Sequence, residues 1–256
     1  MQGQNTLAAY TILAALSVPA AQADISAKAV LDKVYGTYNP QQKCWVTMDE
    51  SEQHYCMTID RTDKRETVTG NRLYVLATGT AVNEKGEADN AHVISGLIGA
   101  FVLEEHNGQT EIIASDPKMP MGTYGLPPTN WRLSLLGPSD YWGWQNTDGA
   151  IYQGISGSSH TLLAPYGHTI RNLAGFWADF DDSGSCCGDQ NARTDIKTQL
   201  VIDTSKNTAR VYPLRVTVTG QLNGKKLKPK TWTLPFDFKN WTYREPSNWP
   251  LTDIGF

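Results

Sequence analysis

Cysteine is scarce in this chain. Four occur in 256 residues, Cys44, Cys56, Cys186 and Cys187, and none is spaced Cys-x-x-Cys, which argues against a thioredoxin-type redox pair. No cysteine or histidine pair has the spacing of zinc ligands. Basic charge is short as well. Lys and Arg number 22 against 26 Asp and Glu, for a net charge of -4, so there is no positive field to hold a polyphosphate and no nucleic-acid partner is expected. His-Glu-x-x-His and Gly-rich phosphate loops are missing. "GISGS" (154–158) places Ser158 where a nucleophile elbow needs glycine, and Ser158 and Ser159 before His160 read as polar turn residues.

Long apolar runs are limited to one, Leu7 to Val18. That is well short of the ~20 residues that cross a bilayer, so no membrane span is expected in the mature chain. A polar start, this run, Pro19 and then Ala21-Gln22-Ala23 have the order of a secretory signal peptide over residues 1–23. The expected location is therefore periplasmic or extracellular. Residues 24–256 are then expected to form a single β-rich domain.

Helical periodicity is equally limited. In "DISAKAVLDKVYG" the apolar residues Ala27, Val30, Leu31, Val34 and Tyr35 lie on one stripe. This predicts a helix over 26–35, capped by Asp24 or Ser26 and ended by Gly36. The remainder alternates and turns often. "KCWVTM" and "HYCMTI" flank a polar "DESEQ" turn, and hairpins are expected near Asn107-Gly108, Asp148-Gly149, residues 204–207 and Asn223-Gly224. The fold class expected is mainly β: an antiparallel meander, as a sandwich, barrel or small propeller, with one short N-terminal helix. Residues 83–90 and the Pro-, Gly- and Met-rich 115–130 read as loops. The tail 239–256, with Trp241, Tyr243, Trp249 and Phe256, reads as an extended aromatic strap.

An even cysteine count in an exported chain points to disulfides. Adjacent Cα atoms stand ~3.8 Å apart, closer than the ~4.4 Å usual for a bridge, so pairing of Cys186 with Cys187 would be strained. Long-range pairing of the early hairpin with the late loop is the expectation. Against it, Cys44 and Cys56 sit symmetrically about Glu50 and could face each other across a hairpin.

That late loop, "FDDSGSCCGD", carries Asp179, Asp181 and Ser183 in the pattern Asp-x-Asp-x-Ser-Gly, whose alternate oxygens suit calcium. Position 12 of the pattern is Gln190 rather than a bidentate Glu, and three ligands fall short of the six to eight that calcium takes. The loop is thus read as structural, with calcium an optional occupant and no cofactor required. In "SDYWGWQNTDGAIYQG", Trp142 and Trp144 share a strand face, and the following strand is expected to offer Tyr152 across a short turn. Exposed, they would make a stacking platform for a sugar or a protein anchor. Two function classes follow. The first is an exported non-catalytic binding or accessory protein that contacts a protein or an envelope glycan. The alternative is an exported hydrolase, calcium-stabilised, with an active site built from loops.

Overall fold

The computed structural model describes residues 26–106, 109–185, 192–252 and 254. Helix α1 (Ala27–Tyr35) begins where the Ser26 hydroxyl accepts from the Ala29 amide at 3.3 Å and ends at Gly36, whose φ of 91° suits glycine. Its apolar stripe buries Val30, Leu31 and Tyr35. Everything after it is mainly β and antiparallel, with a curled, half-barrel sheet.

The first sheet runs in chain order: β1 (Trp45–Met48), β2 (His54–Thr67), β3 (Gly70–Val82), β4 (Gly96–His106) and β5 (Gln109–Met121). The turn between β1 and β2 is held by Asp49, whose carboxylate accepts from the amides of Ser51 and Gln53. The central strands are buried on both faces, so alternation sorts their side chains into two cores. Leu73, Val75, Ala77, Leu97, Phe101 and Leu103 join the α1 side. Tyr74, Leu76, Ile98, Ala100 and Val102 face the second sheet. A bulge between Ile59 and Arg61 on β2 reverses this parity. Met57 therefore lies on the α1 side, while Arg61, Asp63 and Arg65 turn toward the second sheet, where Arg61 donates to the Trp131 carbonyl.

That second sheet comprises β6 (Arg132–Gly137), β7 (Tyr141–Tyr152), β8 (Ile155–Tyr166), β9 (Thr169–Asn172), β10 (Trp177–Asp181), β11 (Asp195–Ile202), β12 (Leu214–Leu222), β13 (Lys225–Lys226) and β14 (Lys230–Leu234). Its spatial order is β13-β12-β11-β10-β8-β7-β6, with β14 on β12 and β9 on β8. One face packs on the first sheet through Trp144, Leu163 and Ile170. The other face holds a third core, from Leu136 and Leu162 across to Ile196 and Val216. The chain's end closes that core: β15 (Phe236–Asp237) pairs with β16 (Thr242–Tyr243), and Tyr243, Trp249 and Leu251 are buried in it. Of the tail's described aromatic residues, Tyr243 and Trp249 thus pack on the second sheet.

Three turn expectations change. Asp148-Gly149 lies inside β7, and the chain reverses at Gln153-Gly154, whose φ values of 49° and 83° are both positive. Gly149 serves close approach instead: a Cβ there would strike the Gly157 carbonyl oxygen. Residues 115–121, read as loop, continue β5, and the loop is 122–130. Pro117 and Pro120 are tolerated because β5 is the edge of its sheet. Ser158 and Ser159 sit in β8 rather than in a turn. Asn223-Gly224 does turn, with φ values of 49° and 72°. Asn107-Gly108 lies outside the described residues, between strands that pair as expected, with His106 opposite Gln109.

The disulfide expectation is also corrected. Cys44 is bonded to Cys56, Cα atoms 5.4 Å apart, so neither reaches the late loop. The β1–β2 register explains it: Val46 pairs with Cys56, which sets Cys44 diagonally across on the same face. Cys186 and Cys187 lie outside the described residues. Closing so short a loop restrains the unfolded chain modestly. Replacing both Cys44 and Cys56 by serine is expected to cost about 3 kcal/mol, read as a lower denaturant midpoint with a slope at least as steep, because the unbridged unfolded chain expands. A midpoint equal to the parent's would mean the bridge adds nothing.

Candidate functional site

On the third-core face, β6, β7 and β8 turn from apolar to polar along their lengths. Leu136 gives way to Ser134 and Arg132, and Ala164 and Leu162 give way to His160. Strand β10 pairs with β8 only as far as Trp177 opposite Ser159. Past that point the same edge of β8 is taken by residues 173–176 and β9, the His160 amide donating to the Phe176 carbonyl and Leu163 lying opposite Asn172, and a cleft of about 670 Å³ opens between β6–β8 and β11. Arg132, Gln145, Thr147 and His160 line one side, and Thr198, Leu200 and Ile202 line the other. A second hollow of about 580 Å³ shares Asn130, Asn146 and Thr147 with the first and continues to Tyr124 and Asp148. The two hollows adjoin at these residues, Gln145, Thr147 and His160 facing the first while Asn146 and Asp148 alternate to the other face of β7 beside the 122–130 loop, and the pair make up the groove.

Two groups in the cleft floor are almost enclosed, Gln145 at 6% exposure and His160 at 7%. The Gln145 carbonyl accepts from Arg132 Nε at 3.2 Å and from the Ser134 hydroxyl at 3.3 Å. Because a guanidinium can only donate, this fixes which end of the amide faces it. The donor end, Nε2, is turned away from both bonds. The Thr198 hydroxyl gives its proton to the Trp177 carbonyl at 2.8 Å, so it accepts from His160 Nε2 at 2.8 Å. That assigns the Nε2–H tautomer and leaves Nδ1 an acceptor. Burial, reinforced by the Arg132 charge, pushes the imidazole down to about 4, so it is neutral at pH 7. The ring also lies against Phe176, centroids 5.2 Å apart.

At the other end, Asp148 accepts from the Gly122 amide at 2.8 Å, and burial raises its carboxyl above the ordinary range despite that bond. Asn146 Nδ2 donates to the Thr129 carbonyl at 2.8 Å, tying β7 to the loop. Tyr124 is 46% exposed and stands edge-on to His92, centroids 4.7 Å apart. His92 in turn reaches the Ile151 carbonyl at 2.7 Å. The groove is thus a wall of amides and hydroxyls with one guanidinium, one exposed aromatic ring and a single carboxylate.

Trp142 and Trp144 do share one face of β7, but it is the face turned to the first sheet. Trp144 is fully buried, edge-on to Tyr74 at 5.8 Å. Trp142 is half-buried beneath the Arg65 guanidinium, 4.6 Å from its ring centroid. Tyr152 lies at the far end of β7 itself, 57% exposed. The three rings form no common platform.

Asp179 and Asp181 lie on β10, opposite Lys197 and Asp195. Asp181 accepts from the Ser183 amide at 2.7 Å, and Ser183 holds its carboxyl below the usual range. Neighbouring Asp182 accepts from the Thr194 amide at 2.9 Å. The Asp181 and Asp182 carboxylates are thus bonded to backbone amides, of Ser183 and Thr194. Asp181→Ala is expected to cost about 1 kcal/mol through the lost turn bonds, by the same amount in calcium and in chelator. A midpoint raised several degrees by micromolar calcium, and lost in the variant, would instead make this a calcium site.

Sequence reasoning missed Gln145, Asn146, Arg132 and Thr198. They come from three strands, and only the register that pairs Arg132 with Gln145 and Thr147 with His160 brings them together. Among the described residues no helix is long and apolar enough to cross a membrane. Compared with protein-family models, curated proteins and solved structures, the chain matches none.

Proposed function

We propose that the protein is an exported, non-catalytic binding protein whose ligand is an envelope glycan lying in the groove between the second sheet and the 122–130 loop. The observation that carries this reading is the lining itself. Asn130, Gln145, Asn146, Thr147 and Gln199 offer paired donors and acceptors of the kind that read sugar hydroxyls, and Tyr124 adds a ring face at the groove's end. The signal-peptide pattern of residues 1–23 and the Cys44–Cys56 bridge support export, since disulfides persist in oxidising compartments.

Calorimetric titration with soluble envelope polysaccharides and their oligosaccharides tests the proposal. Saturable binding is expected, weakened by Tyr124→Ala and by Gln199→Ala, with the oligosaccharides recovered intact. No binding to any glycan would remove it. A hydrolase has one observation in its favour, the raised carboxyl of Asp148. Glycoside hydrolysis needs two carboxyl groups flanking the bond, and Asp148 is the one carboxylate among the described residues that line the groove. Release of shorter sugars, abolished by Asp148→Asn, would establish the catalytic reading instead.

A further inference from the structure

The cleft floor presents three features within reach of one small group. Gln145 Nε2 is a donor with no protein partner, on a side chain more than nine-tenths buried. His160 Nδ1 is an acceptor, its tautomer fixed by Thr198, on a side chain buried to the same degree. Across the cleft stand the apolar side chains Leu200 and Ile202. Gln145 pairs with Leu162, and Thr147 with His160, so Gln145 and His160 are diagonal neighbours on one face, their Cβ atoms roughly 7 Å apart.

An amide bridges such a gap. Its oxygen and nitrogen are roughly 2.3 Å apart, and a hydrogen bond of about 2.9 Å at each end reaches both partners. We propose that this floor is an acetamido subsite, taking the carbonyl of an N-acetylated sugar on Gln145 Nε2, its N–H on His160 Nδ1, and its methyl against Leu200 and Ile202. The inference rests on the glycan reading and narrows it to chains of N-acetylated amino sugars. A carboxylate fits poorly, because it has no proton for Nδ1 and would be desolvated beside the apolar wall. A plain hydroxyl leaves that wall uncovered. Arg132 acts as a positioning residue, since its Nε bond holds the Gln145 amide with the donor end free.

The test compares two sugars with the same backbone, the N-acetylglucosamine tetramer and cellotetraose, by calorimetric titration of the unaltered protein. The acetylated tetramer is expected to bind at least about tenfold tighter, because a site built around a polar group rejects an analogue that leaves it unpaired. Gln145→Glu keeps an acceptor for Arg132 and Ser134 but removes the donor, and should bring the two affinities within about threefold. Equal binding of both sugars by the unaltered protein overturns the subsite while leaving the glycan reading intact. Binding of neither, nor of any envelope polysaccharide, removes both. A preference that survives Gln145→Glu also overturns the assignment. Should that variant not fold, the comparison of the two sugars decides alone.

Discussion

Trp144→Ala is expected to lower stability by about 3–5 kcal/mol, a fall of about 10 °C in thermal midpoint for a chain of this size. Trp144 stands where the two sheets meet. It has no exposed surface, it abuts Tyr74 edge-on, and it shares its core with Leu76, Ile98 and Leu163. Removing it leaves a cavity between two sheets that are each fixed by their own ladders and collapse poorly around the gap. The Trp144 indole N–H is buried without a protein partner, so Trp144→Phe forfeits no hydrogen bond and, leaving a smaller cavity than alanine, should cost about 1–2 kcal/mol. Similar losses in the two variants would show that the indole nitrogen matters and that shape does not dominate here. Chemical denaturation with a shared slope separates these outcomes.

The same residue shows what could be read in advance. Alternation correctly put Trp142 and Trp144 on one face of a strand, because period 2 is a property of the backbone. Whether that face meets water or another sheet is a property of tertiary packing, and the local pattern is silent on it. The helix was legible for a similar reason: Ser26, the stripe from Ala27 to Tyr35 and Gly36 act within a few residues of each other. Asn223-Gly224 turns because both residues tolerate positive φ. Asp148-Gly149 has the same local chemistry and does not turn, since the glycine is needed where Gly157 and Ser158 approach β7. Pro117 and Pro120 suggested loop, yet a strand that pairs on one side only can carry them.

The groove was less legible than the fold. His160 was noticed only as a neighbour of two serines, whereas its surroundings come from Thr198 on β11, Arg132 on β6 and Phe176 before β10. Gln145 carried no signal, because an amide in a strand reads as solvent-facing until its burial is known. Only one cue was available: polar residues interrupt an apolar strand face at His160, beside Leu162, and at Thr198, between Ile196 and Leu200, while Gln145 stands opposite Leu162. Such interruptions on neighbouring strands mark a polar site, but recognising them requires the register.

His160 also leads to the second large effect, an acid-induced loss of stability. In the folded protein its imidazole is pushed down to about 4 by burial, with Arg132 adding to the shift. In the unfolded chain it titrates at about 6.5. Between these values the unfolded state binds a proton that the folded state refuses, so stability falls as pH falls. The contribution of the neutral ring is complete above about pH 6.5, is lost progressively down to about pH 4, and changes no further below that. At about 1.4 kcal/mol per unit, the loss is on the order of 3 kcal/mol. Other groups titrate nearby with the opposite sign. Burial raises the carboxyls of Asp60, Asp148 and Glu245, so acidification through their folded values favours the native state. The informative quantity is therefore the difference between the parent and His160→Gln, which keeps a donor for Thr198 and has no titrating group. Measured by urea denaturation at pH 7.5, 5.5 and 4, the variant should lose less stability than the parent by about 2–3 kcal/mol over the range. Parallel curves for the two proteins would show that the ring is solvated and titrates normally. The neutral Nδ1 acceptor assigned to the cleft floor would then lose its basis in burial.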